Sequence, residues 1–452
     1  MSDTETTPDV SAAGAGNDTP TTGRAKPWPG FFDPNEWDKL YAYDSNVDWW
    51  RGDWAHDLEH PVQTVARAGN QWLMPYKTVA QNMVRTNREQ VVSLMGALFS
   101  WRVATVEQLQ AGLCDRPLPD FTRDEPTIYG ALNRLGIINV GFSRRERMEN
   151  ITIPHVWLSV GNREEYVKEL FPLVGAQPWL RHVITTGRYS SMRQHARHNT
   201  YASHIGLTAA HDPRVRLTAG DGWGAFRLID PMAAQDASVW TSSTDVTILT
   251  KGNVMAGIEA QSHNNFLARK FSNWAKLLAA SPMQRRGLLC VFLFFPRPGG
   301  WRKPSPGFFQ TVAQLPEMAA GDPPVATRLG YATWDEWYDH GYPTGRFGQY
   351  TDMMGATRSI FDPEWSRYAP QNVRDPRTAL DWGWHSMRRQ LMDAWGWDVG
   401  SWTFPDDMRG GFHGFVIPGG TPPADGWDAG LDNTAGRAPD PMESPAPMQG
   451  GD

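Results

Sequence analysis

Three runs of apolar residues at helical spacing open the patterned part of the chain. In "REQVVSLMGALFSW" the positions Val91, Val92, Met95, Leu98 and Phe99 fall on one side of a helix. In "VATVEQLQAGL" Thr105 is placed to cap a short helix that buries Val106, Leu109 and Leu113. In "DEPTIYGALNRLGIINVG" a stripe of Ile128, Ala131, Leu132 and Leu135 leaves Thr127, Asn133 and Arg134 facing outward, and Gly136 suits the stop. The segment "INVGFSRRERMENITIPHVWLSV" then reads as a hairpin with Arg144, Arg145 and Arg147 at its tip.

Further along, the pattern becomes helix, strands, helix, strand. "MRQHARHNTYASHIGLTAAH" predicts a helix, and "RVRLTAG" and "WGAFRLI" predict strands. "TDVTILT" and "VMAGIEAQ" pair across a Lys251-Gly252-Asn253 turn. "NNFLARKFSNWAKLLAA" carries a helical stripe of Phe266, Leu267, Phe271, Trp274, Leu277 and Leu278, and the continuous apolar run of "RGLLCVFLFFP" predicts a central buried strand. This alternation places the chain in the α/β class.

A chain of 452 residues exceeds one compact core and divides into several units. Residues 1–25 and 419–452 have the composition of disordered tails. Residues 26–87 form an aromatic-rich arm expected to wrap a larger body. Three helices followed by a basic hairpin, over 88–175, have the order of a winged helix, a scaffold that often reads DNA through its third helix. Residues 185–300 form the α/β core, and 301–418 a Trp-rich, mostly helical cap with Trp382, Trp384, Trp395 and Trp397 among its packing residues. The two cysteines, Cys114 and Cys290, supply neither a disulfide framework nor a zinc spacing. The N-terminus lacks signal-peptide features, and the longest apolar run, "GLLCVFLFF", is too short to span a bilayer. A cytoplasmic location and no membrane partner are therefore expected.

The net charge of −6 hides a separation of sign along the chain. No acid occurs between Glu169 and Asp212, where Arg181, Arg188, Arg193 and Arg197 lie among five histidines. None occurs between Glu259 and Glu317 either, an interval holding Arg269, Lys270, Lys276, Arg285, Arg286, Arg297, Arg302 and Lys303. Such intervals can present a positive surface to an anionic polymer. DNA is the expected partner, with Thr127, Asn133, Arg134, Arg144, Arg145, Arg147, Arg193, Arg197 and His198 as candidate contacts. His195 and His198 lie three apart on one helix, yet a third ligand at the right turn for a transition metal is missing.

Between those acid-free intervals lie Asp245 on one strand and Glu259-Ala260-Gln261 on the next. Folding alone gains nothing from two carboxylates there, since each costs desolvation. The helix, meander, helix and buried strand with this Asp and Glu-x-Gln pattern resemble the restriction-endonuclease-like PD-(D/E)xK nuclease core. The resemblance implies Mg²⁺ held by Asp245 and Glu259, with catalytic roles for Asp245, Glu259, Gln261 and Lys270. Gln261 stands where that family has lysine, and Thr244-Asp245 replaces its Pro-Asp, so Lys270 on the following helix is expected to supply the charge. His198 is a further candidate to approach the scissile phosphate.

The union of a winged helix with such a core, joined through "RHNTYA", also resembles the replication-relaxation family of actinobacterial mobile elements, over residues 88–296. That resemblance implies a role in plasmid replication and DNA relaxation, with replication or conjugation proteins as partners. The rival expectation is a non-catalytic replication accessory or transcriptional regulator that binds DNA through the winged helix.

Overall fold

The computed structural model describes residues 47–50, 63–66, 70–73, 75–113, 118–121, 125–143, 155–161, 166–174, 195–221, 225–227, 241–252, 254–261, 266–279, 288–295 and 303–367. Arg144, Arg145, Arg147 and Arg193, both expected tails and the whole of 368–418 lie outside these residues. What is described is a mixed α/β structure with two main sheets.

The N-terminal unit begins with an edge strand, β1 (Val47–Trp50), and a helix, α1 (Lys77–Thr86). Helix α2 (Arg88–Trp101) follows after Asn87, whose side-chain amide donates to the Met83 carbonyl at 2.8 Å and closes the preceding turn. A three-residue strand, β2 (Val103–Thr105), leads into α3 (Val106–Gly112). The expected cap is present as a reciprocal capping box: the Gln108 amide N–H donates to Thr105 Oγ1 at 3.2 Å, and the Thr105 N–H donates to Gln108 Oε1 at 3.0 Å. Helix α4 (Ile128–Arg134) is capped by Thr127, whose hydroxyl accepts from the Gly130 N–H at 3.3 Å, and it stops at Gly136, where φ is +75°. Strands β3 (Ile138–Ser143) and β4 (Val156–Val160) then pair antiparallel, and the sheet order is β1-β3-β4-β2.

The third helix departs from expectation. All seven of its residues are buried, including Asn133 and Arg134, which the periodicity placed outward. Helix α1 packs against it, and β1 lies along β3 beside it. Asn133 donates from Nδ2 to the Ile138 carbonyl at 2.9 Å and to the Trp50 carbonyl at 3.3 Å, so its amide ties the arm to the unit. Burial also lowers the Arg134 pKa. The seven residues of this helix are buried along its length in this arrangement. Thr127, Asn133 and Arg134 therefore serve as cap, tie and packed side chain in this arrangement.

The second sheet is seven-stranded. Its strands are β5 (Val215–Gly220), β6 (Val246–Thr250), β7 (Met255–Gln261), β8 (Leu288–Phe294), β9 (Leu329–Thr333), β10 (Gln349–Asp352) and β11 (Thr357–Ser359). They lie in simple order from β5 to β11, and only β7, β8 and β9 run parallel to one another. Parallel neighbours need crossovers, supplied by α6 (Leu267–Ala279) and by a stretch that includes α7 (Pro306–Ala313). Strand β8 is buried along its whole length, as its unbroken apolar run predicts.

The helix α5 (Ala196–His211) covers the face lined by Val246, Ile248, Ile258 and Val291, while α6 covers the face lined by Met255, Cys290 and Phe292. In α6 the buried positions are Leu267, Phe271, Trp274, Ala275, Leu277 and Leu278. Phe266 leaves the expected stripe: it precedes the helix at φ +58° and is 69% exposed. Within "WGAFRLI" the described residues Ala225–Arg227 pair with Thr241–Ser243 in a small separate sheet.

The boundary expected at residue 300 is not a structural one. Strands β9, β10 and β11 continue the core sheet through the region expected to be a helical cap. The runs involved are three to five residues long, too short for helical and strand periods to be told apart by sequence. The N-terminal unit is not independent either. Trp101, Val103 and Trp157 join the apolar cluster under α5, with the Trp101 ring seated on Gly206. Among the described residues no helix is long and apolar enough to cross a membrane.

Candidate functional site

The site is assembled at the strand ends of the β6–β7 hairpin. The register pairs Val246 with Ile258, so one further step sets Asp245 opposite Glu259. The Asp245 N–H still donates to the Ile258 carbonyl at 3.1 Å, but regular pairing ends there. Thr244 folds back to hydrogen-bond Thr247 between hydroxyls at 2.9 Å. Its methyl occupies space that only glycine leaves open: a Cβ at Gly257 would lie 2.4 Å from Thr244 Cγ2. The break leaves the next N–H of β7 to a side chain, and Asp245 Oδ2 accepts from the Ala260 N–H at 2.7 Å. Asp245 is thereby fixed in the plane of the sheet, between the helices on its two faces.

From the α5 side, His198 Nε2 lies 2.9 Å from Asp245 Oδ1. Asp245 is the nearby anion that favours the imidazolium. Burial opposes that charge, yet the combined pull of the carboxylate leaves the His198 pKa above its usual value. The same partnership outweighs burial at Asp245 and holds its carboxyl below the ordinary range.

From the α6 side, Glu259 is enclosed. Trp274 Nε1 donates to Oε1 at 2.9 Å, while Lys270 Nζ and Gln261 Nε2 donate to Oε2 at 3.1 and 3.2 Å. The Glu259 side chain is 5% exposed and that of Lys270 is 43% exposed, so the ammonium bridges the interior and solvent. Burial, followed by the charge of Asp245, raises Glu259 to about 7 despite the opposing ammonium. Both acids raise the Lys270 pKa and keep it cationic.

Asp245, Glu259, Gln261, Lys270 and His198, drawn from the residue before β6, from β7 and from two helices, therefore do come together. Arg197 is one residue away, its guanidinium 5.0 Å from the Tyr201 ring centre and 5.6 Å from that of Phe295. Thr127, Asn133 and Arg134 belong to the N-terminal unit and do not join the site. Trp274 was legible only as a packing residue; its indole N–H is also a partner of Glu259, and nothing in a helical stripe distinguishes the two uses. Among the described residues His195 and His204 belong to no group of three or more potential metal ligands. Burial lowers the first, with the nearby His198 charge adding to the effect, and drives the second down to about 4, where it hydrogen-bonds the Gly341 carbonyl at 2.8 Å.

Mg²⁺ between the two acids would have to share oxygens that already accept hydrogen bonds. A divalent cation of that size wants near-octahedral oxygen ligands. Here each of the four carboxylate oxygens is already engaged, by His198, the Ala260 N–H, Trp274, and Lys270 with Gln261. Among the described residues no group of three or more His, Cys, Asp or Glu is placed to hold a metal ion. Beside its acids the cluster offers a half-exposed lysine, an imidazole that favours its charged form, and a carboxyl pushed up to about 7. No protein-family model, curated protein or solved structure matches this chain.

Proposed function

We propose that the chain is a DNA-binding protein of a plasmid, phage or other mobile element, with a winged helix fused to a PD-(D/E)xK nuclease-like core. The observation that carries this reading is the meeting of Asp245, Glu259, Gln261, Lys270 and His198 around one hairpin end. Lys270 and His198 are the groups that meet a backbone phosphate, and the Gln261 amide orients the acid behind them. Protonation of Glu259 near neutral pH removes the negative charge nearest Lys270 and leaves the cluster net positive. Arg197, on the same helix as His198, adds to that field.

The order helix, strand, helix, helix, hairpin supports the winged-helix reading of the N-terminal unit. With its third helix covered, that unit acts here as a scaffold seated on the core, a use to which such folds are often put. DNA contact is assigned to the core.

A second reading, metal-dependent cleavage, is favoured by the position of Asp245 opposite Glu259, where the nuclease resemblance puts its acids. Incubating the protein with supercoiled plasmid, with Mg²⁺, Mn²⁺ or EDTA, separates the two. The expected result is a shift in mobility with no strand break under any condition. Metal-dependent nicking that disappears in Asp245→Ala would transfer the assignment to a nuclease, and failure to bind plasmid would remove both readings.

A further inference from the structure

Phe266 is held in a conformation that folding alone does not favour. Its φ of +58° is strained for a bulky residue, and its ring is 69% exposed. It is not one of many: the other exposed large apolar side chains among the described residues are Tyr76, Val79 and Met354, and of these only Met354 is as exposed as Phe266. Phe266 immediately precedes α6, and its carbonyl accepts the Lys270 N–H at 3.0 Å, so it stands one helical turn ahead of the ammonium that reaches Glu259. Arg269 lies over the ring, its guanidinium carbon 4.8 Å from the centroid.

An arginine over one face of an aromatic ring polarises it and stiffens its position. With the remaining surface open, the ring is a platform suited to a flat aromatic partner. Arg269 and Lys270 bring positive charge beside the ring, and the interval from Ala260 to Pro316 contains no acid. A flat, aromatic partner attached to an anionic chain is a nucleobase, and one free to stack on a protein ring is an unpaired base.

Resting on the reading of the core as a phosphate-binding site, we infer that Phe266 and Arg269 form a stacking platform for an unpaired base of single-stranded DNA. The base sits on Phe266 while Lys270 meets the adjoining phosphate. The platform makes the core prefer single strands, or the unpaired part of a melted duplex, over an intact helix whose bases are already stacked on one another.

The test is fluorescence anisotropy with an oligothymidylate and with an abasic oligonucleotide of equal length. The wild-type protein binds the oligothymidylate more tightly than the abasic strand. Phe266→Ala lowers affinity for the oligothymidylate about tenfold, the scale of one base–aromatic contact, leaves the abasic strand unchanged, and is rescued by Phe266→Trp. Because the side chain is exposed and its backbone strained, the alanine variant keeps its fold, checked by its unfolding midpoint. Equal affinity of wild type for the two strands, or equal binding of the oligothymidylate by wild type and Phe266→Ala, overturns the platform. The two ideas fail separately: Lys270→Gln weakens both strands if the phosphate reading holds, whatever Phe266 does.

Discussion

Glu259→Gln raises the stability of the protein at pH 8. The wild-type carboxyl is 5% exposed and titrates at about 7, against an ordinary value of 4.5. Between those two pH values the folded chain keeps a proton that the unfolded chain has released. Stability therefore falls as pH rises through that window and is lowest above it. Fully ionised, the buried acid costs about 3 kcal/mol. Glutamine cannot ionise, and its carbonyl oxygen still accepts from Trp274, but its amide nitrogen then faces the donors of Lys270 and Gln261, which takes back part of the gain. Urea unfolding at pH 8 should show the variant more stable by up to about 3 kcal/mol, with the two proteins converging near pH 4.5. Equal stability at pH 8 would mean that Lys270 neutralises Glu259 completely. An acid kept at such a cost is a reason to look for its use in binding.

Trp101→Ala has the opposite effect, and a larger one. Trp101 is 2% exposed at the end of α2, and its ring fills the space over Gly206 so closely that a Cβ there would lie 2.1 Å from Cη2. Beside it a Cβ at Gly220 would meet the Ser100 carbonyl at 2.4 Å, and the Gly220 N–H donates to Ser100 Oγ at 2.9 Å. Two glycines thus let α2 of the N-terminal unit press against α5 and β5 of the core. Truncating the indole leaves a large cavity at this seam and costs about 3–5 kcal/mol. The midpoint of urea unfolding should drop accordingly. A loss below about 1 kcal/mol would show that the two units do not depend on this contact.

The contrast between the two positions shows what a sequence can convey. The capping box at Thr105 and Gln108, the hairpin across Lys251-Gly252, the stripe of α6 and the buried strand β8 are each encoded within a single short segment, where propensity and periodicity act. Asp245, Glu259, Gln261 and Lys270 were legible for the same reason, since one hairpin and the helix after it place all four. The burial of Asn133 and Arg134 was not, because it depends on β1 and α1, which lie more than forty residues away and carry no sign of their destination. Nor was the extension of the sheet through β9, β10 and β11, each of which pairs along the edge of the strand before it. The strand break at Thr244 follows from the missing side chain at Gly257, a contact across the hairpin that no local pattern announces.

The central claim is that the cluster at the end of β7 is a phosphate site whose outward charge is Lys270. Lys270→Gln removes that charge while leaving a hydrogen-bond donor for Glu259, so it isolates the electrostatic contribution. Affinity for duplex DNA measured across a range of salt concentrations, for wild type and this variant, tests it most directly. The account predicts weaker binding at every salt concentration and a salt slope shallower by about 0.9, the loss of one phosphate contact. Superimposable salt curves for the two proteins would contradict it.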